Sequence, residues 1–194
     1  MSLMDRFKKI IAERQIIRGM VIKNLRSKYI GSISGILWAV INPLLIMLVI
    51  TFVFSQIMKT DIKHFPLLIL SALLSWNFFS NSITESTTSI SSNINILRQF
   101  VMLKETIPIS IVVANLLNFL FGFIIILPIF IIFNISIINY LILLPFIILL
   151  HFVFTLGVSM LLSIINIYFK DLPQLLGIFL MFLFWLTPVF YSMN

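Results

Sequence analysis

The chain has 194 residues, a net charge of +7, 61% hydrophobic residues and only 10% charged ones, with a mean hydropathy of +1.18. A soluble domain of this size carries roughly 25% charge to cover its surface, so a soluble globular fold is excluded and an all-α polytopic membrane protein is predicted. The apolar runs are long and continuous, which disfavours a transmembrane barrel, and the absence of cysteine removes disulfides and thiolate metal ligands.

Most of the positive charge lies at the N-terminus. Residues 1–30 carry Arg6, Lys8, Lys9, Arg14, Arg18, Lys23, Arg26 and Lys28 against Asp5 and Glu13. A basic segment just before a membrane span is a topology and anionic-lipid signal, so no nucleic-acid partner is expected and membrane lipids are. Between residues 3 and 28, Leu3, Met4, Phe7, Ile10, Ile11, Ile17, Val21, Ile22 and Leu25 fall within an arc of about 140° at helical periodicity. This predicts a cytoplasmic amphipathic helix over 1–30, lying at the membrane interface. The transmembrane domain is then 31–194.

Five apolar runs follow: Ile33–Met58, a run from Phe65 whose strongly apolar part ends at Phe79, Ile107–Phe133, Tyr140–Ile165 and Leu172–Tyr191. Each is compared with the ~20 residues that cross a bilayer. With the N-terminus inside, eleven Lys and Arg side chains fall on inner segments and two, Lys59 and Lys63, on outer ones. That asymmetry sets the N-terminus in the cytoplasm. An odd number of spans, with the chain stopping at Asn194 after an aromatic segment, leads to the expectation of a C-terminal truncation. At the entry to the first run, Gly31, Gly35 and Ala39 form a small-residue ridge suited to close helix packing; such residues also recur in membrane helices without that role.

Between the second and third runs the composition changes sharply. In "WNFFSNSITESTTSISSN", Trp76–Asn93, eleven of the fourteen residues from Ser80 onward are Ser, Thr or Asn. The fifteen apolar residues before it make about 22 Å of helix, short of a ~30 Å hydrocarbon core. The first polar residues therefore lie within the membrane. Ser80, Asn81, Ser82 and Thr84 are expected to face the bundle interior, a dimer seam or a wet passage. Trp76 and Trp185 suit interfacial belts or stacking on sugar rings. Glu85 and His151 are the ionisable groups near or within spans, for which an ion-coupled role is one option. A helix-to-helix hydrogen bond is the stronger expectation for His151.

Enzymatic readings lack residues. The six acidic and two His side chains show no metal-ligand spacing, and no glycine-rich phosphate loop is present. Neither catalytic nor metal or cofactor-binding residues are assigned. The inner segment "NINILRQFVMLKETIPIS", Asn93–Ser110, mixes apolar side chains with Arg98, Lys104 and Glu105. By itself it either docks a cytosolic partner or lies flat on lipid, and Pro108 marks a helix restart.

Four stretches stand in order: "YIGSISGILWAVINPLLIMLVITFVF", "LLSWNFFSNSI", "SSNINILRQFVMLKETIPIS" and "INIYFKDLPQLLGIFLMFLFWLTPVFYS". Together they resemble the type 2 ABC exporter permeases that move lipid-linked polysaccharides such as O-antigen, capsule or teichoic acid. The resemblance implies the permease half of an ATP-driven exporter in the bacterial cytoplasmic (inner) membrane. Two copies would pair, with cytosolic ABC ATPase subunits holding ATP and Mg²⁺ beneath them and none in this chain. It implies a coupling segment at about 93–107, with Asn95, Ile96, Leu97, Arg98, Phe100, Lys104 and Glu105 toward the ATPase. It also implies a sixth span in the full-length protein. The substrate path is assigned to Trp76, Phe79, Ser80, Asn81, Thr84 and Trp185. The chain departs from the family's frequent pattern in having Leu103, not Pro, before Lys104. A type 2 ABC permease for a drug or lipid, and an ion-coupled carrier, are the alternatives.

Overall fold

The computed structural model describes residues 3–29, 37–53, 65–99, 102–132 and 142–187. Their secondary structure is eight helices: α1 (Leu3–Ala12), α2 (Arg14–Tyr29), α3 (Trp38–Phe52), α4 (Phe65–Ser92), α5 (Ile94–Gln99), α6 (Thr106–Ile132), α7 (Leu144–Tyr168) and α8 (Leu172–Leu186). The five apolar runs correspond to α3, α4, α6, α7 and α8. Of these, α4, α6 and α7 are long and apolar enough to cross a membrane, and α8 is a shorter apolar helix over its described residues. Gly31 and Gly35 lie outside the described residues. Ala39 falls in the first turn of α3, and its packing is likewise outside them.

The helix starts follow local chemistry. Pro145 opens α7 and Pro173 opens α8, where the missing N–H is one that a first turn leaves unbonded anyway. Pro108 sits in the first turn of α6 for the same reason, as expected.

α4 is the central helix and shares its largest interfaces with α6 and α7. One face carries Leu70, Leu74 and Phe78 against Val112 and Phe119 of α6, with Ile148, Phe152 and Leu156 of α7 closing the cluster. A second face sets Ile69 and Leu73 against Ile46, Met47 and Ile50 of α3 and Phe184 of α8. Lower down, Ile83 meets Leu176 and Leu180 of α8 together with Val158 and Leu162 of α7. Gly122 lets α6 approach closely: a Cβ there would meet Leu74 Cδ2 at 3.0 Å.

These pairings fix the relative directions of the helices. Residue numbers rise together on α4 and α7, from Leu70 with Ile148 to Ser91 with Asn166. They run oppositely on α4 and α6 (Leu74 beside Gly122, Glu85 beside Asn115) and on α4 and α8 (Trp76 beside Phe184, Ile83 beside Leu176). α4, α6, α7 and α8 therefore alternate in direction along the chain, the arrangement that consecutive short-looped spans require.

Two features differ from the expectations drawn from sequence. The second run extends well past its apolar part: α4 runs unbroken for 28 residues to Ser92, about 42 Å, so the polar tract is helical almost to its end. The N-terminal segment is two helices meeting at Glu13, although Glu13 N–H still donates to Lys9 O (2.9 Å) and Ile17 N–H to Glu13 O (3.0 Å). α1 carries the strong amphipathic pattern, whereas α2 mixes polar and apolar residues around its circumference and packs along α6 with Val21 buried.

Candidate functional site

The polar half of α4 divides by face. Ser82, Ser86, Thr87 and Ser89 are fully buried with Ile83 and Ile90, while Asn81, Thr84 and Thr88 are exposed and Ser80 is half-buried. α7 presents a matching buried stripe of Thr155, Ser159, Ser163 and Asn166. Spacings of three and four place Ser82, Ser86 and Ser89 on one face of α4 and the four α7 residues on one face of α7, which lets backbones approach closely, while Thr87 lies beside Ile83 and Ile90. Several of the hydroxyls bond within their own helix: Thr87 Oγ1–H donates to Ile83 O (2.7 Å), Ser89 Oγ–H to Ser86 O (2.6 Å) and Ser163 Oγ–H to Met160 O (2.8 Å). Asn166 Nδ2–H crosses the seam to Ser91 Oγ at 3.1 Å. The buried hydroxyls of Ser82, Ser86, Thr155 and Ser159 have no partner among the described residues.

On the other side of α4, Asn81 lines a polar cavity of about 190 Å³ with Asn42, Asn77, Asn115, Asn118 and Lys28, flanked by Trp38, Phe78 and Phe119. The asparagines recur at i, i+4 on α4 and i, i+3 on α6, which puts each pair on one helix face. At the cavity wall three helices are tied together. Lys28 Nζ of α2 lies 2.8 Å from Glu85 Oε1 of α4 and donates to Asn115 Oδ1 of α6 at 2.5 Å. Asn115 Nδ2–H donates to Glu85 Oε2 at 3.1 Å, closing the triangle. Glu85 lies about 30 Å along α4 from Phe65, one hydrocarbon thickness from that end. Its carboxylate has a fixed partner at the base of the bundle.

The aromatic residues assigned to the path do gather. Trp76 sits 5.9 Å from Phe79 and 5.4 Å from Phe184 between ring centroids, and Phe184 in turn meets Trp185 at 5.6 Å. Phe79 stacks on Phe154 at 5.9 Å and 11°. Phe154 and Trp185 remain largely exposed, at 61% and 57%. Trp76 and Phe79 line a shallow groove with Ala72, Ser75, His151, Phe154 and Thr187. Asn81 opens instead toward the asparagine cavity, so the six path residues do not share one place: Trp76 and Phe79 line the groove, Trp185 joins them through Phe184, Asn81 lines the cavity, and Ser80 and Thr84 line neither. His151 takes part through its ring, edge-on to Phe78 at 5.0 Å and stacked near Phe79 at 6.2 Å. These contacts replace the helix-to-helix hydrogen bond expected of it, because α4 offers aromatic faces at that level.

In the coupling segment, Asn95, Ile96, Leu97 and Arg98 lie on α5, with Asn95 exposed and Leu97 half-buried. The side chains of Ile96 and Arg98, and all of Phe100, are outside the described residues. Lys104 and Glu105 form the turn before α6, Lys104 exposed and Glu105 half-buried. A residue that the sequence alone does not single out joins this turn to the N-terminal helices. The Glu13 carboxylate accepts the Leu103 N–H (3.1 and 3.2 Å) and the Thr106 hydroxyl (2.6 Å). Further along, Asn24 Nδ2–H donates to Ser110 Oγ at 3.3 Å. Nothing local in the sequence signals these long-range pairs. The asparagine spacings within apolar runs are visible there and mark the cavity.

Among the described residues no three His, Asp or Glu side chains gather to hold a metal ion. The family model described as "ABC-2 type transporter" matches residues 16–194. The O-antigen export system permease protein RfbA of Klebsiella pneumoniae is 30% identical over 171 residues, covering 88% of this chain and 66% of that protein. The protein of the same name from Myxococcus xanthus is 30% identical over 181 residues, covering 93% of this chain and 70% of that one. The chain thus spans about two thirds of the length of these relatives. With a helical membrane bundle of alternating spans, a match over nearly its whole length and two relatives at this identity, the chain belongs to the ABC-2 type transporter family.

Proposed function

We propose that this chain is the transmembrane permease subunit of an ATP-driven exporter that moves a lipid-linked polysaccharide out across the cytoplasmic membrane. The observation that carries the reading is the 30% identity to two O-antigen export permeases over 88% and 93% of the chain. The geometry supports it. α5 and the Lys104–Glu105 turn sit together at one end of the bundle, beside the basic N-terminal helices, where a cytosolic ATPase has access to them. Counting Lys and Arg puts that end inside, with the N-terminal helices at the inner interface. Large apolar side chains exposed along α7 and α8 leave room for lipid and for a second copy. ATP and Mg²⁺ belong to the partner ATPase.

In this reading the glycan passes the aromatic groove of Trp76, Phe79, Phe154 and Trp185, whose ring faces suit the apolar faces of sugars, while Asn81 and its neighbours offer amides to hydroxyls. Teichoic acid and capsule share this chemistry with O-antigen. An ion-coupled carrier is disfavoured because Glu85 is engaged by Lys28 and Asn115 and the His151 ring by Phe78 and Phe79. The test is to purify the full-length protein with its ATPase and measure ATP hydrolysis with and without lipid-linked glycan. Failure to copurify, or hydrolysis indifferent to glycan, would end the proposal. Glycan accumulating inside a deletion strain separates polysaccharide export from drug or lipid export.

A further inference from the structure

The turn that precedes α6 is held from outside its own segment. Leu103 N–H and the Thr106 hydroxyl, both at the start of α6, converge on the carboxylate of Glu13, some ninety residues earlier in the chain. Thr106 is fully buried, so its hydroxyl has no water to turn to if that carboxylate is removed. The carboxylate also stands at the N-terminus of a 27-residue helix, where the unbonded N–H groups of the first turn favour negative charge.

This clamp is the first of three contacts at roughly one-turn intervals along α6. Glu13 binds at Leu103 and Thr106, Asn24 at Ser110 and Lys28 at Asn115. The third contact reaches α4 as well, through Lys28 and Glu85. α2 is therefore fastened to α6 just before its first residue, through Glu13, and again towards its C-terminal end, through Asn24 and Lys28. A displacement of the turn at 103–106 moves α2 with it, and α2 passes that displacement to the polar half of α4.

We propose that Glu13 is the positioning residue of the coupling segment: its carboxylate fixes the turn before α6 to the N-terminal helices, so that a push from the ATPase reaches α4 through α2. This assignment rests on the export reading above. The role assigned to Glu13 is to hold the turn in place, through its bonds to Leu103 and Thr106, and not to bind nucleotide or glycan.

Two measurements on the full-length protein test it. The first needs no ATPase: hydrogen–deuterium exchange over residues 102–107. Glu13→Ala should exchange there about tenfold faster than wild type, from loss of charge-assisted hydrogen bonds. The second uses the complex with its ATPase in liposomes and compares hydrolysis with and without lipid-linked glycan. Glu13→Ala should keep glycan-free hydrolysis, which takes place on the ATPase, and lose most of the glycan-stimulated increment. Thr106→Ser, which keeps the hydroxyl, should retain stimulation, and Thr106→Val should lose some of it. Glu13→Gln keeps the size of the side chain but loses its charge and one acceptor oxygen, and should shift both readouts in the same direction by less, which keeps the test valid should Glu13→Ala fold poorly. Unchanged exchange in Glu13→Ala overturns the clamp, whatever the protein exports. Faster exchange with an unchanged ratio of stimulated to glycan-free hydrolysis overturns the positioning role. A wild-type complex without glycan stimulation overturns the export reading and this role with it, while the exchange result still reports on the clamp separately.

Discussion

The Lys28–Glu85–Asn115 triangle makes a measurable demand on stability. Its ion pair is 2.8 Å long, with side chains 25% and 39% exposed, and both charged groups also bond the Asn115 amide. Fully exposed pairs contribute about 0–1 kcal/mol, and breaking a fully buried pair costs about 3–5 kcal/mol. A triangle at this depth lies between, so Lys28→Met and Glu85→Gln should each cost about 2 kcal/mol. In the double variant no unpaired charge remains, and the cost should be about 2.5 kcal/mol, a coupling of about 1.5 kcal/mol. For a chain of this length each single change should lower the unfolding midpoint by about 6 °C. The assay is thermal unfolding of the full-length protein in one detergent, for wild type, both single variants and the double. Exchanging the charges, Lys28→Glu with Glu85→Lys, should recover some of the loss. If the two single costs simply add in the double, the triangle is a coincidence of placement and the reasoning fails.

The seam between α4 and α7 should tolerate loss of hydroxyls better than gain of bulk. Ser86→Ala or Ser159→Ala removes a buried hydroxyl with no partner among the described residues and should leave the unfolding midpoint unchanged or raise it slightly, whereas Ser82→Leu should overpack the seam at about 1–3 kcal/mol. Gly122→Ala should cost about 1 kcal/mol, because its Cβ meets only the end of the flexible Leu74 side chain, and Gly122→Val appreciably more by the same unfolding assay. On this cysteine-free chain, a thiol at Asn81 should react with an aqueous maleimide and one at Ser82 should not; equal labelling would refute the assignment of faces. His151→Phe should preserve stability because the contacts are ring contacts, and His151→Ala should cost about 1–2 kcal/mol, as loss of two ring contacts at a half-buried position.

The apolar runs announce their helices because a bilayer demands about 20 residues of continuous hydrophobicity. Trp76–Asn93 is harder to read. Ser, Thr and Asn compete with the helical backbone and commonly end helices, yet here hydroxyls such as Thr87 and Ser89 bond carbonyls of the preceding turn and are buried in the bundle. Tertiary packing thus carries α4 ten residues or more past its apolar run. Glu13 and Lys28 are legible only as members of a basic, amphipathic segment, since their partners lie tens of residues away and nothing near them marks the pairing. Leu103 departs from the proline that the resembled exporters often carry before the basic residue, and its backbone N–H is what Glu13 uses. Trp76 and Trp185 can each be assigned a surface role from position, but only packing shows Phe184 joining them.

The α4–α7 seam also bears on how the bundle moves. Among the described residues its hydroxyls bond inside their own helices or not at all, and a side-chain bond spans it at Asn166 and Ser91, near the C-terminal ends of both helices. Small side chains without directional ties let the two backbones approach closely along this stripe, and the Asn166–Ser91 bond pins its C-terminal end. Beyond the stripe the same two helices interlock through Phe78 and Phe79 against His151 and Phe154, so the pair is held at both ends of the stripe and carries a load applied near α5 as one body.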